Sequence, residues 1–105
     1  MPKSEVRTAM PTLDIHGAFV RRADLSEASL CGANISGADA TKAVFRGVDF
    51  KGARLRGTVL RGADLTDAKN LTIDQLSEAV IHDDTILPNY IDRRRLRQFA
   101  SSEHR

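Results

Sequence analysis

The sequence predicts an all-β solenoid, and three observations carry the prediction. From Leu13 to Asp67 the chain divides into eleven consecutive five-residue rows: LDIHG, AFVRR, ADLSE, ASLCG, ANISG, ADATK, AVFRG, VDFKG, ARLRG, TVLRG and ADLTD. The third position is apolar in every row, and Ala40 is its one small member. The first position is Ala in eight of the eleven rows, and all seven glycines of the protein occupy the fifth. The candidate core is therefore the third-position column of Ile15, Val20, Leu25, Leu30, Ile35, Phe45, Phe50, Leu55, Leu60 and Leu65.

A period of five suits neither common element. On an α-helix five residues turn through roughly 500°, so successive large residues would fall about 140° apart and line no single face. On a straight strand an odd period sends the large residue to alternate sides. The pattern works when the chain turns about once per row. First and third positions, two residues apart, then both point inward. The second, fourth and fifth face outward or form the corner, where a residue without Cβ suits a tight turn. Coils of this kind stack on one another as a solenoid.

The rows Ala23-Asp24-Leu25, Ala33-Asn34-Ile35 and Ala63-Asp64-Leu65 resemble the A-(D/N)-L-x-x pattern of the pentapeptide-repeat family, over about half of the chain. The resemblance implies a right-handed quadrilateral β-helix with four repeats, twenty residues, per coil. Eleven rows then give about 2.75 coils, a stack roughly 13 Å tall at the strand spacing.

Three segments follow. Residues 1–12 read as a flexible segment or partial N-terminal cap, residues 13–72 as the β-helix, and residues 73–105 as a C-terminal helical cap with a basic tail. After Asp67 the register breaks, because Asn70 falls where a large apolar residue belongs. Thr72 and Gln75 form a capping-box signature, and Ile73, Leu76 and Val80 recur at helical spacing, predicting a helix over 73–81 across the last coil. Family members end in a similar way, here with Gln75-Leu76 and Leu87-Pro88. A second helix over about 90–100 carries Arg93, Arg94, Arg95 and Arg97, with Ile91, Leu96 and Phe99 as a candidate cap or dimer stripe. In gyrase-binding members of the family a C-terminal helix makes the homodimer, which the resemblance extends to this segment.

Composition bounds the function. The 105 residues carry 16 basic and 14 acidic side chains, no Trp, one Tyr, four Phe and one Cys. That excludes an internal disulfide and argues against an aromatic platform for single-stranded nucleic acid. No apolar run reaches the roughly 18–20 residues of a membrane span, and the N-terminus lacks a secretory apolar stretch, so a cytoplasmic protein is expected.

With four sides, the second presents Phe19, Arg21, Arg22, Asp39, Thr41, Lys42, Val59 and Arg61, and the third presents Asp24, Ser26, Glu27, Val44, Arg46, Asp64, Thr66 and Asp67. The near-neutral total thus averages a basic side against an acidic one. Arg54 and Arg56 extend the basic surface, giving a candidate interaction face of Arg21, Arg22, Lys42, Arg54, Arg56 and Arg61. No catalytic constellation is found. His16, His82 and His104 lack metal-ligand spacing, Cys31 reads as a surface thiol, and no cofactor is expected. Asp14, Asp24, Asp39, Asp49 and Asp64 follow the repeat and read as makers of corner hydrogen bonds.

The reading is a non-enzymatic interaction or scaffold module for a protein partner that the sequence does not name. One alternative, from the resemblance, is a DNA-mimicking partner of DNA gyrase, against which stand a short acidic side and a sequence pI of about 9.0. The other is nonspecific phosphate or nucleic-acid binding by the basic face, which would be strongly salt-dependent.

Overall fold

The computed structural model describes residues 13–96. Second-position residues pair in parallel with the residue twenty further on, in four columns: Asp14–Asn34–Arg54, Phe19–Asp39–Val59, Asp24–Val44–Asp64 and Ser29–Asp49–Lys69. These columns define the four sides of the solenoid, numbered here in that order.

One hydrogen-bond scheme repeats on every side. The third-position amide donates to a second-position carbonyl one coil on, as in Ile15 N to Asn34 O at 2.9 Å. The second-position amide donates back to a first-position carbonyl, as in Asn34 N to Leu13 O at 2.8 Å. Within a row, the amide of the next first position closes a turn on the third-position carbonyl, as in Ala18 N to Ile15 O at 3.0 Å. That turn places the fifth position at its third residue, where a type II turn requires positive φ. All fifth positions obey, including the non-glycines Arg22, Glu27, Lys42 and Asp67 with φ of 61–66°.

First and third positions fill the interior. Leu30, Ile35, Phe45, Phe50, Leu55, Leu60 and Leu65 are buried, while Ile15, Val20 and Leu25 of the first coil are only partly so. The small Ala40 shares a coil with Phe45 and Phe50, whose rings meet at 5.5 Å between centroids, so one small residue offsets two large ones. Thr58 occupies a first position fully buried, and its hydroxyl donates to Ile35 O at 2.7 Å.

Beyond residue 67 the ladder departs from the simple period without stopping. Lys69 still pairs with Asp49, then Asn70 turns with φ of 61° and Leu71 takes the buried place. Helix α1, Ile73–Glu78, follows with a complete capping box: Gln75 N donates to Thr72 Oγ1 at 3.0 Å and Thr72 N to Gln75 Oε1 at 2.9 Å. The same Gln75 uses Nε2 to donate to Phe50 O and Ala53 O, both at 2.9 Å, tying α1 to the coil below.

The predicted helix over 73–81 is corrected to these six residues. Ala79 is extended, and Ala79-Val80-Ile81 re-enters the first, second and third positions of the second side, with Ala79 and Ile81 buried and Val80 paired with Val59. Thr85-Ile86-Leu87 does the same on the third side, where Ile86 pairs with Asp64 and buried Thr85 donates to Leu60 O at 2.7 Å.

The predicted second helix is also corrected. Among the described residues its span holds only a 3-10 turn, Arg93–Arg95, capped by Asp92. Its residues are fastened back onto the fold instead: the Tyr90 hydroxyl donates to Ala68 O, and the Arg93 guanidinium donates to His82 O and Thr85 O. Leu96 is fully buried in the chain's own interior and Ile91 is half-buried. Phe99 lies outside the described residues.

Candidate interaction faces

The second-position carboxylates are consumed by the backbone. Each accepts the amide two residues on: Asp14 from His16 at 3.2 Å, Asp24 from Ser26 at 3.0 Å, Asp39 from Thr41 at 3.2 Å, Asp49 from Lys51 at 3.0 Å and Asp64 from Thr66 at 2.9 Å. Asn34 holds Ser36 in the same way at 3.1 Å. These bonds favour the ionised form and hold all five carboxyls below their ordinary range. The leading cause is the side-chain bond from His16 for Asp14, from the Ser26 hydroxyl for Asp24, from the Thr41 hydroxyl for Asp39 and from Asn70 for Asp49. At Asp64 partial burial acts upward and is outweighed by the Thr66 hydroxyl, the Thr66 amide and Arg46. The expectation of corner hydrogen bonds rather than acid–base pairs matches this geometry.

The cations are placed differently. Arg21 lies 3.6 Å from Asp39 and Arg46 lies 3.4 Å from Asp64. Arg22, Lys42, Arg54, Arg56 and Arg61 have no ion-pair partner among the described residues. Of the six basic residues singled out in the sequence, the structure gathers Arg21, Lys42 and Arg61 around one groove of 380 Å³ on the second side, with Thr41 and Asp84. Arg22 stands on the same corner column as Lys42, and Arg54 and Arg56 belong to the adjoining first side.

Asp84 is the groove residue that sequence reasoning missed. In lower coils a fifth-position amide donates to a fourth-position carbonyl of the next coil, as in Lys42 N to Arg61 O at 2.8 Å. At Gly62 the Asp84 carboxylate takes that carbonyl's place, with Oδ1 accepting the amide at 2.9 Å. A lone Asp-Asp pair in a connection carries no signal for that role.

Apolar side chains accompany the charges. Phe19 is 82% exposed at the start of the second-side column, and Val80 is 41% exposed at its end. Ile86 extends the third-side column in the same manner. Cys31 is an exposed free thiol on the fourth side. No helix among the described residues is long and apolar enough to cross a membrane.

A four-column ladder with a filled interior and turn-bound second positions defines a repeat solenoid whose available chemistry is on its outer sides. The chain belongs to the pentapeptide-repeat family: the model for pentapeptide repeats matches eight copies across residues 14–47 and 43–72. Among solved structures it is similar to a pentapeptide repeat protein, Rfr23, from the cyanobacterium Cyanothece 51142, at 25% identity and a TM-score of 0.64. That match covers 73% of this chain and 52% of the other, so this chain spans about half of that structure's length. A second similar structure is alr5209, a pentapeptide repeat protein from Nostoc Pcc 7120, at 25% identity, 85% and 84% coverage and a TM-score of 0.34. Among curated proteins none matches the chain.

Proposed function

We propose that the chain is a non-enzymatic protein-interaction module, a right-handed four-sided β-helix whose C-terminal end is closed by α1 and the segment after it. The observation that carries the reading is the division of labour among its charges. Second-position carboxylates are tied into turns, whereas Arg22, Lys42, Arg54, Arg56 and Arg61 stand on two adjoining sides without ion-pair partners among the described residues. Unneutralised charge on a rigid surface steers and selects an oppositely charged partner.

The test places a photo-crosslinking residue at one outward position of each side in turn: Ser36, Thr41, Ser26 and Lys51. Exposure of the full chain to native lysate should give one recurrent protein adduct from one or two adjoining sides. Adducts from no side, or the same unselective pattern from all four, would refute the module reading.

DNA gyrase as the partner is a second reading, supported by the acidic third side of Asp24, Glu27, Asp64 and Asp67 and by the family. A change in gyrase supercoiling on adding the purified chain supports it, and no change at any concentration removes it. Of the C-terminal stripe proposed for self-association, Leu96 is already buried, which leaves half-buried Ile91 as its available member among the described residues.

A further inference from the structure

We infer that the second side is the docking surface for an acidic amphipathic segment of a partner protein, which rests on the interaction reading above. Two columns run along the stack there. The second-position column is mainly apolar: Phe19, Val59 and Val80 lie on it, interrupted by Asp39. The fourth-position column is basic, with Arg21 and Arg61 on either side of Thr41, and Lys42 at the adjoining corner. Two strand residues separate the columns by about 6.6 Å. From Phe19 to Val80 is three coil steps, about 14 Å, which nine or ten helical residues span.

A segment apolar along one edge and acidic along the other satisfies both columns together. Phe19 is the most exposed of the large apolar side chains among the described residues, and with Val59 and Val80 it gives one column an apolar make-up beside charge, the composition of an interface. Lys42 and Arg61 have no ion-pair partner among the described residues, so a carboxylate arriving there meets unspent charge. The groove already accommodates one carboxylate, that of Asp84, held by the Gly62 amide at 2.9 Å. The same feature sets carboxylates above phosphates as the partner chemistry. Asp39 in the apolar column and Asp84 beside the basic one would repel a continuous phosphate backbone, whereas a segment with spaced carboxylates passes them, and that backbone would gain nothing from Val59 and Val80.

The test titrates the isotope-labelled full chain by NMR with three probes. They are a short helical peptide with leucine on one face and glutamate on the other, its scramble of equal charge, and a short DNA duplex. The amphipathic peptide should shift the amides of Phe19, Arg21, Lys42, Val59, Arg61 and Val80, and bind at least about fivefold more tightly than the scramble. Phe19→Ser and Arg61→Glu, both at outward positions, should each weaken it about fivefold or more, a loss near 1 kcal/mol, with the unfolding transition unchanged. Shifts on another side, equal binding by the scramble or the duplex, no binding at millimolar peptide, or an unchanged affinity in Phe19→Ser would each overturn the inference. A cellular partner cross-linked through Ser26 on the third side and not through Thr41 overturns this surface while leaving the interaction reading intact.

Discussion

Phe45→Ala tests how the stack is held together. Phe45 is 1% exposed and its ring lies 5.5 Å from that of Phe50, centroid to centroid. Truncating a fully buried Phe removes its transfer free energy and leaves a cavity, together about 3–5 kcal/mol. Part of that is the ring pair, about 0.5–1.5 kcal/mol. Collapse cannot refill the space, because the coil is closed by backbone ladders and its small inward residues, Ala33, Ala38, Ala40 and Ala43, have no side chain to extend into it. Against a total stability of about 5–15 kcal/mol for a domain, that loss removes at least about a fifth of the whole and, at the lower end of the range, brings the variant close to its unfolding midpoint at room temperature. Leu25 provides the internal comparison. It occupies the equivalent position in the first coil but is only partly buried, so Leu25→Ala should cost about 1–1.5 kcal/mol. Urea unfolding followed by circular dichroism measures both. Equal losses for the two variants, or a Phe45→Ala loss below about 1 kcal/mol, would refute the layered core described above.

Further outcomes follow from individual contacts. Glu27 sits at a fifth position with φ of 66°, so Glu27→Gly should raise stability by about 1 kcal/mol. Gly57→Ala should lower it by about 1–2 kcal/mol through φ alone, since the added Cβ meets nothing nearer than 3.8 Å. Thermal melts of the pair decide, and a stabilising Gly57→Ala contradicts the turn assignment. Gln75→Glu keeps the capping-box acceptor but loses the donor to Phe50 O and Ala53 O, so it should destabilise by about 1–3 kcal/mol, most at neutral pH where the carboxylate faces two carbonyls. The second-position carboxyls, depressed in the folded chain, supply stability that is complete above the unfolded carboxyl value near 3.9 and is lost as pH falls through the lower folded values. Acid melts should therefore fall below about pH 4, and less steeply in Asp24→Asn; a flat profile to pH 2 would contradict the turn bonds.

How much of this was legible in the sequence depends on where the period of five holds. Between Leu13 and Asp67 it states which side chain is inside, because a five-residue side fixes inward and outward positions together. Past that point α1 lengthens the first side by one residue, so Val80 pairs with Val59 twenty-one residues away, and the connection 82–84 adds another, so Ile86 pairs with Asp64 twenty-two away. Ala79-Val80-Ile81 and Thr85-Ile86-Leu87 are complete repeat cores hidden by those insertions, and Val80 reads equally well as a helical position. The arginine run after Ile91 has good helix formers, yet the burial of Leu96 and the Tyr90 and Arg93 bonds to neighbouring carbonyls hold it as a 3-10 turn that ends at an extended Leu96. Local propensity yielded to tertiary contacts there. At the candidate site the basic column was visible because it follows the repeat, but the Asp84 contact lies outside any repeat and needed the fold.

The twenty-residue coil is the claim on which every side, column and groove depends, and the single native cysteine offers a direct test. Cys31 and Lys51 occupy fourth positions on adjacent coils of the fourth side, and Gly32 N donates to Lys51 O at 2.8 Å. Stacked coils place such residues about 4.8 Å apart, within the Cα range that a disulfide spans. Under mild oxidation Lys51→Cys should close an intramolecular bridge with Cys31, seen as the loss of two hydrogens by mass spectrometry and a raised melting temperature. Arg46→Cys, on the third side, should stay reduced or form only intermolecular bridges. Ready closure in Arg46→Cys with none in Lys51→Cys would contradict the four-sided register.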